Sequence, residues 1–227
     1  MRTFDLSMEP LRDLNAALHR LPSDTNETHW VVEHPGGKHA IACGLDKPVT
    51  IEINGHVGYY CGGMNEHANI VVDGNAGVGV AENMMSGTVH IKGDASQSAG
   101  ATGHGGLLVI DGNASARCGI SMKGIDIVVK GSIGPMSAFM AQAGNLVVLG
   151  DAGEALGDSI YEARLFVRGK VASLGTDCIE KEMSAEDRAA LDGVIAKAGL
   201  DVSVSDFRFY GSARRLYHFH VDNVDAY

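Results

Sequence analysis

The chain has 227 residues, of which 45% are hydrophobic and 20% are charged, so it can bury a sizeable core and we expect one domain with appendages. Its formal net charge of −10 argues against nucleic acid or an anionic membrane as a main partner, because phosphate binding requires a basic surface. No apolar run approaches the length of a membrane span, and the N-terminus lacks the basic and apolar regions of a signal peptide. We therefore expect a cytoplasmic protein.

Residues 1–29 are predicted to form a helical N-terminal cap. Leu11, Leu14, Leu18 and Leu21 make one apolar stripe at helical spacing, and Ser7 is the expected N-cap. Such a helix can cover the open end of a repeat protein, which otherwise exposes core residues and an unpaired strand edge. The alternative is a docking helix for another subunit.

From Ile51 to Cys178 one pattern returns every nineteen residues without insertion or deletion: apolar, any residue, apolar, polar, Gly. The anchor glycines, expected at sharp turns, are Gly55, Gly74, Gly93, Gly112, Gly131, Gly150 and Gly169. A fixed period near twenty residues with β-branched runs predicts an all-β solenoid. Because parallel crossovers are overwhelmingly right-handed, we expect a right-handed parallel β-helix of about seven to eight coils over residues 30–180.

Residues 30–50 are interpreted as an atypical first coil. Gly36 lies nineteen residues before Gly55, and Val32 lies nineteen residues before Ile51. Terminal repeats commonly depart from the consensus of a solenoid.

Charges alternate in the position just before each anchor, which reads Asp73, Lys92, Asp111 and Lys130 in the central coils. Stacked strands lie about 4.8 Å apart, and opposite charges on neighbouring strands attract. This alternation predicts that the coils stack in register.

The middle residue of each strand triplet points away from the core, because strand side chains alternate. In the last four coils it is Val109, Val128, Val147 and Phe166, which form a continuous apolar stripe. An exposed stripe of this kind requires a cover, either the C-terminal part of the same chain or another protein. We therefore include these four residues in a candidate partner interface.

Residues 181–227 are predicted to form a helix and an aromatic tail. Ser184 begins the helix and Gly199 ends it. A tail rich in Phe and Tyr either folds back on the helix or inserts into a partner. The remaining candidate interface residues in this tail are Arg208, Tyr210, Arg214, Arg215, Tyr217, His218 and His220.

No catalytic, cofactor-binding or metal-binding motif stands out in the sequence. The pair His218 and His220 lacks a third ligand at recognisable spacing. Cys61 and Cys118 are three coils apart, about 14 Å, which is too far for a disulfide, and Cys43 and Cys178 have no CxxC partner. We expect four free cysteines and no catalytic residue.

Glycines on a β-helical period of about nineteen residues resemble the C-terminal GXGXG domain of glutamate synthase large subunits. With the leading helical segment and the tail FRFYGSARRLYHFH, the chain is similar to the small stand-alone β-helix subunit of N-methylglutamate synthase and related glutamate-synthase-like complexes. The resemblance covers residues 30–180 for the fold. No catalytic motif of that family maps onto this chain.

The resemblance implies a non-catalytic assembly subunit in a hetero-oligomer. Its partners would be a class II amidotransferase-like subunit and an FMN-binding synthase subunit, which would also carry an iron–sulfur cluster. That complex would convert glutamate and methylamine to N-methylglutamate and ammonia. The same coil pattern occurs in the β-helix component of formylmethanofuran dehydrogenase, which is one alternative, and a stand-alone protein-binding scaffold is another.

Overall fold

The structure is a computed structural model, and it describes residues 1–22 and 24–214. Its two helices are α1 (Leu11–His19) and α2 (Ala185–Lys197), and a short 3-10 turn spans Val204–Asp206. The strands are β1 (Arg2–Asp5), β2 (His29–Glu33), β3 (Thr50–Asn54), β4 (Asn69–Val72), β5 (Thr88–Ile91), β6 (Leu107–Ile110), β7 (Lys123–Val129), β8 (Ala143–Val148), β9 (Arg164–Val167), β10 (Cys178–Lys181) and β11 (Arg208–Ser212).

The strands form one sheet in the order β1-β2-β3-β4-β5-β6-β7-β8-β9-β11-β10, in which β1 to β9 are parallel. From β3 to β9 the strands pair residues nineteen positions apart, as in Ile51 with Ile70 and Leu146 with Leu165. The exception is Lys123, which pairs with Ala143 twenty positions later before the register shifts, so the predicted period without insertion or deletion is interrupted by one residue at the start of β7. Single parallel bridges at the same spacing run from Val57 to Val171 along a second side of the coil. The predicted all-β solenoid of 19-residue coils is therefore confirmed, with about seven turns.

The first coil has a different register from the one its sequence indicates. Trp30, not Val32, pairs with Ile51, so the offset between β2 and β3 is twenty-one residues. The corner after Glu33 contains His34, Gly36 and Gly37 at positive φ and is two residues longer than the later corners. The predicted equivalence of Val32 with Ile51 is wrong, because the two extra residues of this corner lie between β2 and the rest of the coil and shift the strand by two positions.

The anchor glycines are required mainly because successive coils approach each other closely. Among the seven, only Gly55 has a positive φ, at 134°. A Cβ at Gly74 would lie 2.8 Å from the carbonyl oxygen of Gly55, and one at Gly112 would lie 2.8 Å from that of Gly93. Contacts this short leave no room for a side chain, so the column of anchors has to be glycine.

The core lies between the sheet and the return segments of each coil. The first and third residues of the strand triplets, such as Ile70 and Val72, are fully buried in it. Outside the core, Lys130 Nζ lies 2.7 Å from Asp111 Oδ1 and Lys92 Nζ lies 3.8 Å from Asp73 Oδ1. The predicted in-register pairing of alternating charges is confirmed at these two places.

Both ends of the solenoid carry additional structure. At the N-terminal end β1 pairs with β2, and α1 buries Leu14 and Leu18 against the core. Ser7 does not cap this helix, because its hydroxyl donates to Asp5 and the N-cap position is Pro10. At the C-terminal end β11 and β10 continue the sheet in antiparallel orientation. Neither helix of the described residues is long and apolar enough to cross a membrane.

Candidate interaction surface

The apolar stripe of Val109, Val128, Val147 and Phe166 is covered by the C-terminal part of the same chain. Val128, Val147 and Phe166 are fully buried, and Val109 is 7% exposed. They form a second hydrophobic core with Leu191, Val194 and Ile195 from the apolar face of α2. Phe207 and Phe209, from the segment after this helix, complete that core. Of the two covers considered from sequence, the structure shows the chain itself, so these side chains are not accessible to a partner in this conformation.

Helix α2 is held across three coils by polar contacts at both ends. Ser184 and Asp187 form a capping box at its N-terminus, where Arg164 donates to Asp187. At its C-terminus Lys197 Nζ donates to Asp126 Oδ2 at 3.0 Å. Asp126 and Arg164 occupy the same position of coils two repeats apart, so α2 runs along the stack and clamps β7 to β9 together.

The C-terminal candidates lie in different environments. Tyr210 is 2% exposed, and burial raises the pKa of its phenol. Arg208 is half-exposed and donates to the carbonyl oxygen of Gly169 at 2.7 Å, whereas Arg214 pairs with Asp177. Arg215, Tyr217, His218 and His220 lie outside the described residues.

A groove of about 500 Å³ lies between the last coil, the start of α2 and β11. Its lining includes Arg164, Lys181, Phe209 and Arg214. The guanidinium groups of Arg164 and Arg214 are paired with carboxylates, and Lys181 Nζ lies 3.4 Å from a backbone carbonyl. The groove therefore offers aromatic surface but no free cluster of positive charge.

The cysteines are free, as the sequence predicts. Burial raises the pKa of all four thiols, in Cys118 to about 12, so these thiols are poor nucleophiles at neutral pH. Within residues 1–22 and 24–214, no group of three or more His, Cys, Asp and Glu side chains is placed to hold a metal ion.

Exposed apolar side chains concentrate on the return segments of the coils. Ten large apolar or aromatic side chains are well exposed in the described part of the chain, and seven of them lie on return segments, between four and eleven residues after an anchor glycine. The first cluster comprises Tyr59, Tyr60, Met64 and Met85 in two neighbouring coils. The second cluster comprises Met140, Tyr161 and Leu174 in the last three coils.

Two polar coils separate the first and second clusters. Their return segments expose Gln97, His104 and Arg117 instead of large apolar residues. The three coil steps from Met85 to Met140 correspond to about 14 Å along the stack. Sequence reasoning missed both clusters, although their positions after the anchors could have indicated them.

The fold and these surfaces define the class of protein. It is a β-solenoid whose own C-terminal helix packs on the outer face of its sheet, with two apolar clusters on its return segments. The chain is 61% identical to protein GlxC of Rhizobium meliloti (strain 1021), over the full length of both chains and 228 aligned residues. The chain therefore belongs to the GlxC family. No protein-family model and no solved structure matches it.

Proposed function

We propose that this chain is a non-catalytic assembly subunit of a glutamate-synthase-like complex of the N-methylglutamate synthase type. It would hold a class II amidotransferase-like subunit and an FMN-binding synthase subunit together. The flavin and the iron–sulfur cluster would belong to the synthase subunit, and the product would be N-methylglutamate from methylamine and glutamate. The glycine-anchored coil pattern and the membership of the GlxC family support this proposal.

The observation that carries the proposal is the presence of two separate apolar clusters on one rigid solenoid. Exposed Tyr and Met side chains are enriched at protein interfaces, and a monomeric protein rarely exposes several of them together. The first and second clusters lie about 14 Å apart along the stack, which is less than the width of a typical interface of about 800 Å² per partner, so two subunits bound at them would also contact each other. A solenoid held by a continuous sheet would then keep the two bound subunits at a constant separation.

The test is co-purification of the tagged chain at native expression, followed by the visible spectrum of the isolated material. We expect two further chains and the absorption bands of a bound flavin. A chain that elutes alone and colourless would overturn the proposal and favour a stand-alone scaffold. Co-purification with a molybdopterin enzyme would instead favour the formylmethanofuran dehydrogenase alternative.

A further inference from the structure

The first cluster contains an ordered arrangement of aromatic rings. The imidazole of His39 stacks on the ring of Tyr59 with 4.3 Å between centroids, and Tyr60 meets Tyr59 edge to face at 6.5 Å. The backbone N–H of Tyr59 also donates to His39 Nδ1 at 2.9 Å. We call these three residues the aromatic platform.

Glycines of the next coil leave the space in which the platform rings lie. A Cβ at Gly77 would be 3.0 Å from the ring of Tyr59, and a Cβ at Gly79 would be 2.7 Å from the ring of Tyr60. Both tyrosines nevertheless remain nearly half exposed, at 49% and 47%. The rings are therefore held in place before any partner arrives, which lowers the entropic cost of binding.

The charge beside the platform is acidic. The same Cβ at Gly79 would lie 2.8 Å from Glu82 Oε2 and 2.7 Å from the ring of Tyr60, so this carboxylate and this ring face the same small space beside Gly79. The coil that contains Tyr59 and Tyr60, residues 55–73, has two carboxylates, Glu66 and Asp73, and no lysine or arginine. With a net charge of −10, a second copy of this chain would be repelled.

We propose that the aromatic platform binds a basic protein surface, with an arginine or lysine side chain over Tyr59 and Tyr60 and paired with Glu82. A cation over the face of an aromatic ring is attracted by the quadrupole of the ring, and a neighbouring carboxylate adds to this attraction. This inference rests on the proposed function, since the basic surface belongs to one of the two partner subunits.

The test measures the affinity of the full-length chain for the purified amidotransferase-like subunit and, separately, for the purified synthase subunit. We expect Tyr59→Ala to weaken binding to one of them at least tenfold, and Glu82→Gln to weaken it a few-fold and reduce its salt dependence. Tyr161→Ala, an equally exposed tyrosine of the second cluster, is the matched control and should leave that affinity unchanged. Circular dichroism and the melting temperature verify that each variant is folded.

The outcomes separate the two proposals. If the wild-type chain binds both subunits but neither Tyr59→Ala nor Glu82→Gln weakens either interaction, the platform inference is overturned and the proposed function stands. If the wild-type chain binds neither subunit, the proposed function fails and the inference fails with it. Hydroxyl-radical footprinting of the complex gives an independent measurement, in which Tyr59, Tyr60 and Met64 should be protected and the exposed Met8 should not.

Discussion

Lys197 and Asp126 are 71 residues apart in the chain, and their side chains form an ion pair with 3.0 Å between Nζ and Oδ2. The side chain of Asp126 is only 11% exposed, whereas that of Lys197 is 64% exposed. The other oxygen of Asp126 accepts a hydrogen bond from Asn145 Nδ2 at 2.7 Å. Asp126 thus joins the end of α2 to two successive coils of the solenoid.

Removal of this carboxylate should destabilise the fold. In Asp126→Ala the partly buried amide of Asn145 loses its acceptor, so we expect the free energy of unfolding to fall by about 1–3 kcal/mol. Urea denaturation followed by circular dichroism measures the change. Asp192→Ala, on the exposed side of the same helix, should change it by less than about 0.5 kcal/mol. Equal effects for the two variants would mean that Asp126 does not anchor α2.

The covered and uncovered halves of the sheet should respond differently to the same substitution. Val147 is fully buried under α2, whereas Val71 occupies the same coil position in β4 and is half-buried. Val147→Thr places a hydroxyl in an apolar environment and should cost about 1–3 kcal/mol. Val71→Thr should cost less than about 0.5 kcal/mol, because water reaches the site. Chemical denaturation compares the two, and similar costs would contradict the cover seen in the structure.

Several return segments contain non-glycine residues in the left-handed region. Arg117 has φ 61° and is exposed, and Gly79 occupies the equivalent position two coils earlier. A left-handed conformation costs an L-residue about 1–2 kcal/mol, and a glycine at this position avoids that cost. Glycine, however, loses more conformational entropy on folding, which offsets about 0.5–1 kcal/mol of the gain. Arg117→Gly should therefore raise the free energy of unfolding by up to about 1 kcal/mol.

The control for this prediction is Gln97→Gly, at an exposed position whose φ is not positive. That substitution should lower the free energy of unfolding by roughly 0.5–1 kcal/mol, because only the entropic cost of glycine remains. Thermal unfolding of both variants measures the difference. A loss of stability in Arg117→Gly as large as that in Gln97→Gly would show that the left-handed backbone carries no strain.

Asp111 should make the stability of the protein depend on pH. Partial burial by itself would raise the pKa of this carboxyl, but Lys130 at 2.7 Å and His90 at 2.9 Å outweigh burial and hold the pKa below its usual range. A lowered pKa stabilises the folded state above the unfolded pKa of about 4, and this contribution is lost as the pH falls through the folded pKa. Asp111→Asn should therefore be less stable than the wild type at pH 7.

The stability difference between wild type and Asp111→Asn should shrink as the pH falls below about 4. Urea denaturation at a series of pH values measures it. Asp73→Asn provides a matched comparison, because Asp73 faces Lys92 at the longer distance of 3.8 Å and should show a smaller effect. A difference that stays constant between pH 7 and pH 3 would exclude a role for the Asp111 carboxylate.

The periodic part of the fold was predictable because each coil repeats one local pattern. The alternation in triplets such as Ile70-Val71-Val72 assigns the core face, and one glycine per coil sets the corner. The register then follows, since a slip by one residue would turn the apolar side chains to solvent. The paired charges at Asp111 and Lys130 follow from that register and needed no further information.

The remaining features depend on contacts that no local pattern specifies. The apolar stripe around Val147 required a cover, but whether α2 or a partner supplies it depends on where the chain leads after β10, and this is a long-range relationship. The two extra residues in the corner after Glu33 changed the register of the first coil, and the apolar pattern of β2 gave no sign of that shift. The exposure of Tyr59 and Tyr60 follows from the turns of their coil and from the glycines of the next one. These features were decided by packing between distant segments, because only a folded coil stack brings such segments into contact.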